Sequence, residues 1–204
     1  MQQSVSENII MLFPGESIPP DATEAISILL LGSSDATGNP KYDWPGNFAR
    51  ALAEITDPLK GILQFQGLKF VILNGATPAQ NPEPGLMNQE FTDKTNWILS
   101  MINTPPADVT NMDAQGGCDA VFINFLRGGT APYPLYYLGL CANSGKMCCR
   151  CSENSIYYPY VYLAAKQYGF PLLPSKVTSA LSILQSLQLI IPKFQNIGKY
   201  QLPE

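Results

Sequence analysis

Five largely apolar runs of strand length, separated by segments with helical spacing, constrain the fold of this chain more than any other feature. Their apolar residues are mostly continuous and do not alternate with polar ones, which is typical of strands buried on both faces of a parallel sheet. The sequence therefore predicts an α/β protein with a flavodoxin- or Rossmann-like open parallel sheet of about five strands and helices on both faces. The runs are residues 26–31, 69–73, 119–125, 146–151 and 170–173.

The segments between these runs have the spacing of amphipathic helices. The one after the third run begins at Pro134, a residue that the first turn of a helix accepts, and stops before Gly145. The predicted helices cover residues 44–55, 88–102, 134–143, 157–168 and 176–187.

One domain, residues 26–188, is predicted between two extensions. Residues 1–25 contain a short apolar segment at 8–13, which predicts an additional edge strand or a contact with a neighbouring subunit. Residues 189–204 contain two prolines and no clear period, so an irregular arm is expected.

The composition excludes several classes of function. The chain has no histidine, which rules out Ser-His and Cys-His mechanisms and any histidine-bearing zinc site. Its net charge is −4, so a cationic face for nucleic acid is not expected. No stretch approaches the roughly 20 apolar residues of a membrane span, and the N-terminus lacks the basic region of a signal peptide. We expect a cytoplasmic protein with neither a nucleic-acid nor a membrane partner.

Charged residues make up only 14% of the chain, below the roughly 25% of an average globular protein. A surface so poor in charge indicates that part of it is covered, and we therefore expect a homo-oligomer.

Five cysteines are present, an odd number that is a poor disulfide framework. Three of them lie in the run 148–151, where alternate side chains of a strand point to opposite faces. They cannot all bind one metal ion, so we interpret them as buried strand residues. Neither a metal site nor a bound cofactor is expected.

Ligands of open α/β sheets bind beyond the carboxyl ends of the strands. Two predicted loops at this end carry residues suited to a polar ligand. The first contains Gly32, Ser33, Ser34 and Asp35 and leads to the pair Asp43–Trp44. Its backbone and hydroxyl groups would bind polar atoms, and Trp44 would stack on a base. The alternative is an ordinary strand-to-helix turn with Trp44 in the core.

The second loop contains Arg127, Gly128, Gly129 and Thr130 and leads through Tyr133 into a helix. A glycine-rich turn at a helix N-terminus offers free N–H groups and a positive dipole end to phosphate or carboxylate. Arg127 would add a bidentate donor. The alternative is a flexible loop with a solvated arginine.

Taken together, several motifs resemble the nucleoside 2-deoxyribosyltransferase-like family over residues 9–184. The family's strand ending in Gly-Ser is similar to residues 29–33, followed by the acidic-Trp pair Asp43–Trp44. Its helix tryptophan matches Trp97, and its third strand matches residues 118–125. The most specific similarity is that of residues 131–146 to the family's "SPhSLLELGhhAxSGK" helix.

This resemblance implies a cleft that binds a nucleoside, with Trp97 and Tyr133 among its lining residues. The family uses the glutamate of "ELG" as a nucleophile on the sugar, and this chain has Tyr137 at the matching position. A phenol with a pKa of about 10 is neutral at pH 7 and stabilises a cationic sugar poorly. The resemblance also implies clefts completed across subunits.

Three functions are therefore considered, and whether the chain is an enzyme stays open. The favoured one is non-catalytic binding, including sequestration, of a nucleoside, nucleotide or nucleotide-derived signal. An alternative is an active deoxyribosyltransferase or N-glycosidase with a rearranged nucleophile, for which the candidates are Asp35, Asp43, Asp119 and Tyr137. The third is a structural or interaction protein that reuses the fold.

Overall fold

The computed structural model describes residues 3–34, 43–78, 89–106, 116–125 and 133–197. Within these ranges eight strands form one sheet, and six α-helices pack on it. The strands are β1 (Gln3–Ser6), β2 (Ile9–Leu12), β3 (Ile26–Ser34), β4 (Phe70–Asn74), β5 (Thr77–Pro78), β6 (Ala120–Asn124), β7 (Met147–Cys151) and β8 (Leu172–Pro174). The helices are α1 (Trp44–Thr56), α2 (Gln89–Asn103), α3 (Tyr133–Cys141), α4 (Tyr158–Tyr168), α5 (Ala180–Gln188) and α6 (Pro192–Ile197).

The strand order is β1-β2-β4-β3-β6-β7-β8, and β5 pairs with the end of β3. Every pairing is parallel except that of β1 with β2. The open parallel α/β sheet is thus confirmed, and the edge strand of the N-terminal extension is β1, not the apolar segment 8–13. Instead β2 lies between β1 and β4, because Ile9 and Leu12 are buried on opposite faces of the sheet.

Two hydrophobic clusters lie on the two faces of the sheet. One is formed with α2, α3 and α4 and includes Ile98, Leu138 and Val161. The other is formed with α1, α5 and α6 and includes Leu52 and Leu184. Helices on both faces are therefore confirmed. None of the helices in the described ranges is long and apolar enough to span a membrane.

The C-terminal segment differs from the irregular arm that was expected. Residues 192–197 form α6, and Lys193 of this helix donates hydrogen bonds to the Ala25 carbonyl (3.0 Å) and to Oδ2 of Asp119 (3.2 Å). Asp119 is only 3% exposed, and its carboxylate also accepts from the Ser27 backbone N–H and hydroxyl. A buried charge needs a partner, so the contact of Asp119 with Lys193 holds α6 in place. The helix was not predicted from the sequence because six residues are too few to show a helical period. Residues 198–204 lie outside the described ranges.

Gly32 allows the end of β3 to approach β6 closely. Its φ is +124°, a conformation that other residues rarely adopt, and it pairs with Asn124. A Cβ atom at this position would lie 2.3 Å from the carbonyl oxygen of Asn124. Only glycine fits here without moving the neighbouring strand.

We expect Gly32→Ala to lower the free energy of unfolding by at least about 2 kcal/mol, because backbone strain and the overlap with Asn124 add. Gly139→Ala is the control. Gly139 lies in α3, and an added Cβ would meet nothing within 4 Å. This change should raise stability by about 0.5–1 kcal/mol, since alanine favours helix. Urea denaturation measures both variants, and equal effects would contradict the prediction.

Candidate functional site

The chain reverses its direction across the sheet at β3. From β3 it passes through α1 to β4 on one side, and from β4 through α2 to β6 on the other side. Such a switch point opens a crevice at the carboxyl ends of the two central strands, where open sheets bind ligands. Gly32, Ser33 and Ser34 stand at this end of β3, and Asn124 stands at the end of β6. Their placement agrees with the predicted site, while a ligand-binding role for the three β3 residues stays a prediction.

Several predicted site residues fall outside the described ranges. These residues are Asp35 after β3 and the loop of Arg127, Gly128, Gly129 and Thr130 after β6. Their part in a ligand site stays a prediction.

Asp43 and Trp44 begin α1, as the sequence predicted. Asp43 caps the helix by accepting the Gly46 N–H at 3.1 Å, and its Oδ2 lies 3.9 Å from Nη2 of Arg50. Trp44 is half-buried and packs edge-on against Phe122 of β6, with the ring centroids 6.1 Å apart. Asp43 thus has the structural role of a cap, whereas Trp44 leaves part of its ring accessible.

The other three aromatic candidates are buried on the opposite face of the sheet from α1. Trp97 donates its indole N–H to the Glu16 carbonyl at 2.8 Å. Tyr133 packs against Phe91, and Tyr137 is completely buried among the residues of the α2–α4 cluster. These are placements of core side chains, and they give no support to a role in ligand binding or catalysis.

A cleft of about 210 Å³ lies on the other face, between α1 and the start of α5. We call it the α1–α5 cleft. Its walls are mixed, with apolar side chains from both helices and one basic side chain from the end of β7. The lining residues are Trp44, Asn47, Phe48, Ala51, Arg150, Thr178, Ala180 and Ile183. Of these, only Trp44 was predicted as a site residue.

Among the described residues that line this cleft, Arg150 is the one that carries a charge. Its Nε donates to Oδ1 of Asn124 and its Nη1 donates to the Val177 carbonyl, both at 2.9 Å. No carboxylate of the described residues forms an ion pair with it, and desolvation lowers the pKa of its guanidinium. The result is a partly dehydrated cation that lacks a counter-ion in the described part of the chain.

Asn124 supplies a second donor beside Arg150. The guanidinium can only donate, so the Asn124 oxygen must face it and the amide nitrogen must point elsewhere. Asn124 is 1% exposed, and its Nδ2 has no hydrogen-bond partner in the part of the chain that the structure describes. Such an unsatisfied buried donor is costly and marks a place where a ligand acceptor would be stabilised.

Sequence reasoning missed Arg150 and Asn124 because each stands inside or at the end of an apolar run. One signal was available. Arg150 follows Cys148 by two residues, and Asn124 follows Phe122 by two. Side chains two positions apart on a strand point to the same face, so Arg150 shares a face with Cys148 and Asn124 shares one with Phe122. Recognising that the two polar residues also meet requires the pairing of Asn124 with Arg150 across β6 and β7.

Of the carboxylates considered as nucleophiles, Asp119 lies at the wrong end of the sheet. It precedes β6 and bonds Ser27 at the amino end of β3, whereas the α1–α5 cleft opens at the carboxyl ends. Asp119 pairs with Lys193 of α6, and it is therefore not a candidate for chemistry in this cleft.

The interpretation of the cysteines as buried strand residues is confirmed for the three in β7. All five cysteines are free and buried, with Cys118 just before β6 and Cys141 at the end of α3. Burial raises the pKa of the Cys118 and Cys148 thiols to about 12. No three histidine, cysteine or acidic side chains in the described ranges group as metal ligands.

Comparison of the chain with protein-family models and with characterised proteins found no match.

We expect the native protein to resist thiol reagents and to lose stability at alkaline pH. The folded pKa near 12 exceeds the ordinary thiol value of 9.0, so stability is full below pH 9 and falls as the pH rises towards 12. Each thiol contributes up to about 1.4 kcal/mol per pH unit in this window. Urea denaturation at pH 8–11 should show a shallower loss for Cys148→Ala than for the wild type. Rapid labelling of the native chain by Ellman's reagent would contradict the burial.

Proposed function

We propose that this protein binds a nucleoside- or nucleotide-type ligand, without cleaving it, at the carboxyl end of its sheet. The observation that carries the proposal is Arg150, a partly dehydrated cation that lines the α1–α5 cleft and has no carboxylate partner among the described residues. Its neighbour Asn124 adds a buried amide donor. Side chains with unmet bonding capacity in a cleft are typical of a binding site, although structural networks also contain them.

Trp44 supports the aromatic part of this proposal. It is half-buried at the start of α1, packs against Phe122 at the switch-point strand β6 and lines the same cleft as Arg150. An indole ring offers a flat apolar surface on which a nucleobase can stack. The base of a ligand would thus contact Trp44 while polar atoms reach Arg150.

The lack of bond cleavage in this proposal is supported by the positions of the acidic residues. Glycosidic cleavage needs a carboxylate close to the sugar. Asp43 is occupied as a helix cap, and Asp119 lies at the amino end of the sheet. None of the described residues that line the α1–α5 cleft is acidic, and Asp35 lies outside the described ranges.

Tryptophan fluorescence tests the binding proposal, because the chain has two tryptophans in different surroundings. We expect a nucleoside- or nucleotide-type ligand to change the emission of the wild type and of Trp97→Phe, but not of Trp44→Phe. Trp97 is 8% exposed and lies on the other face of the sheet, so it serves as the internal control. The panel comprises nucleosides, their mono- and diphosphates, cyclic nucleotides and nicotinamide dinucleotides.

Calorimetry with the same panel decides the outcome. Flat titrations throughout would contradict the proposal. Chromatographic detection of free base after incubation would replace binding by the transferase or N-glycosidase alternative.

We further propose that the protein is a cytoplasmic homo-oligomer. Free cysteines suit a reducing compartment, and the chain has few charges to keep copies apart. The exposed face of α4 supports self-association, since Tyr160 and Leu163 are 62% and 63% exposed there.

Light scattering after size exclusion tests the oligomer. We expect a mass above that of the monomer, and we expect Leu163→Lys to lower it, because a charge on α4 opposes burial of this face. Leu59→Lys is the matched control, since Leu59 is 88% exposed outside α4 and its replacement should leave the mass unchanged. A monomeric wild type would contradict the proposal.

A further inference from the structure

We propose that the α1–α5 cleft is an oxyanion subsite, in which Arg150 receives a phosphate or carboxylate group of the ligand. This inference rests on the proposed function and specifies the ligand class: a nucleotide-type compound, whose phosphate enters the cleft, is bound in preference to the free nucleoside.

The charges around the cleft favour an anion. Arg150 is the one charged residue among the lining residues that the structure describes. Phe48 and Ile183 line the same space with apolar atoms. Apolar walls weaken screening by water, so the attraction of an anion to the guanidinium is stronger here than on an open surface.

Two helices also direct their N-termini to this cleft. The first residue of α1, Trp44, and the first residue of α5, Ala180, both line it. Both N-termini are capped: Asp43 accepts the Gly46 N–H of α1, and the Ser179 hydroxyl accepts the Ser182 N–H of α5. The Asp43 carboxylate offsets the partial positive charge of α1. The cap of α5 is uncharged, so the dipole of α5 adds to the field of Arg150, an arrangement suited to phosphate or carboxylate.

Unused donors are available at the same place. In the described part of the chain, the guanidinium of Arg150 makes hydrogen bonds through Nε and Nη1 only. Its remaining N–H groups can bind an oxyanion in the bidentate manner that arginine favours. Asn124 holds the Arg150 side chain through Nε, and its own buried Nδ2, which no described residue accepts from, lies beside the end of β3.

The size of the cleft indicates which part of a ligand it takes. Its volume of about 210 Å³ is below the roughly 300–1,000 Å³ of pockets that enclose a whole small molecule. It therefore suits a head group, while the rest of the ligand extends past Trp44 towards the switch point between β3 and β6. A nucleoside with a terminal phosphate has a head group small enough for the cleft and a remainder that can extend past Trp44.

Thr178→Glu tests the subsite without disturbing the core. Thr178 is exposed, lines the cleft and precedes α5, where an acidic residue is tolerated. The new carboxylate would occupy Arg150 and repel a second anion. Thr178→Gln is the matched control, since it has nearly the same shape without the charge. Arg50→Gln removes the exposed arginine of α1 and is a second control.

The experiment compares calorimetric affinities for nucleosides, their 5′-phosphates and inorganic phosphate, with the full chain in each case. We expect 5′-phosphates to bind wild type at least tenfold more tightly than nucleosides. Thr178→Glu should remove this advantage, while Thr178→Gln and Arg50→Gln should keep it within threefold. Circular dichroism of each variant confirms that it is folded.

The outcomes separate this inference from the proposed function. Equal affinity for nucleosides and 5′-phosphates, or full 5′-phosphate affinity in folded Thr178→Glu, would overturn the oxyanion subsite and leave the binding proposal standing. Binding of inorganic phosphate alone, lost in Thr178→Glu, would support the subsite and overturn the nucleotide ligand. Failure of every compound to bind would overturn both.

Discussion

The close backbone contact between Gly32 and Asn124 is the constraint on which the rest of the structure depends. It joins the two central strands, β3 and β6, at the end where the chain connections diverge. From Asn124 a chain of hydrogen bonds leads through Arg150 to the Val177 carbonyl. These hydrogen bonds connect the end of the sheet to the segment that precedes α5. The α1–α5 cleft lies at this connection, because Arg150 lines it.

The polar cluster in this cleft is costly for folding alone. In the described part of the chain, the guanidinium of Arg150 lacks a counter-ion and the buried Nδ2 of Asn124 lacks an acceptor. Each of these groups opposes the folded state by an amount on the order of 1–3 kcal/mol. An oxyanion in the α1–α5 cleft would supply a counter-ion to Arg150 and would stabilise the native protein by mass action. The guanidinium that opposes folding is therefore the group that would favour binding.

The resemblance to the nucleoside 2-deoxyribosyltransferase-like family stays a prediction. The binding site that we propose does not lie at the position of the family's nucleophile. The resemblance implies that Tyr137 replaces a nucleophile, yet Tyr137 is buried on the face of the sheet opposite the α1–α5 cleft. The complete burial of Tyr137 therefore gives no support to a catalytic or ligand-binding role for this side chain. The ligand class of the binding proposal comes from the resemblance, and Trp44 belongs to one of its motifs. The α1–α5 cleft and the place of Arg150 in it are features of the structure alone.

The sequence by itself determined the α/β class, the five principal strands and the helices between them, because continuous apolar runs and helical periods report local burial. It also determined that the β7 cysteines are core residues. Only the tertiary structure decided that β2 lies inside the sheet, that Lys193 fastens α6 to Asp119 and that Arg150 meets Asn124. The pairing of β2 with β4 and the contacts of Lys193 and Arg150 join residues that are 26 or more positions apart, so no local pattern encodes them. Strand order and register bring these residues together.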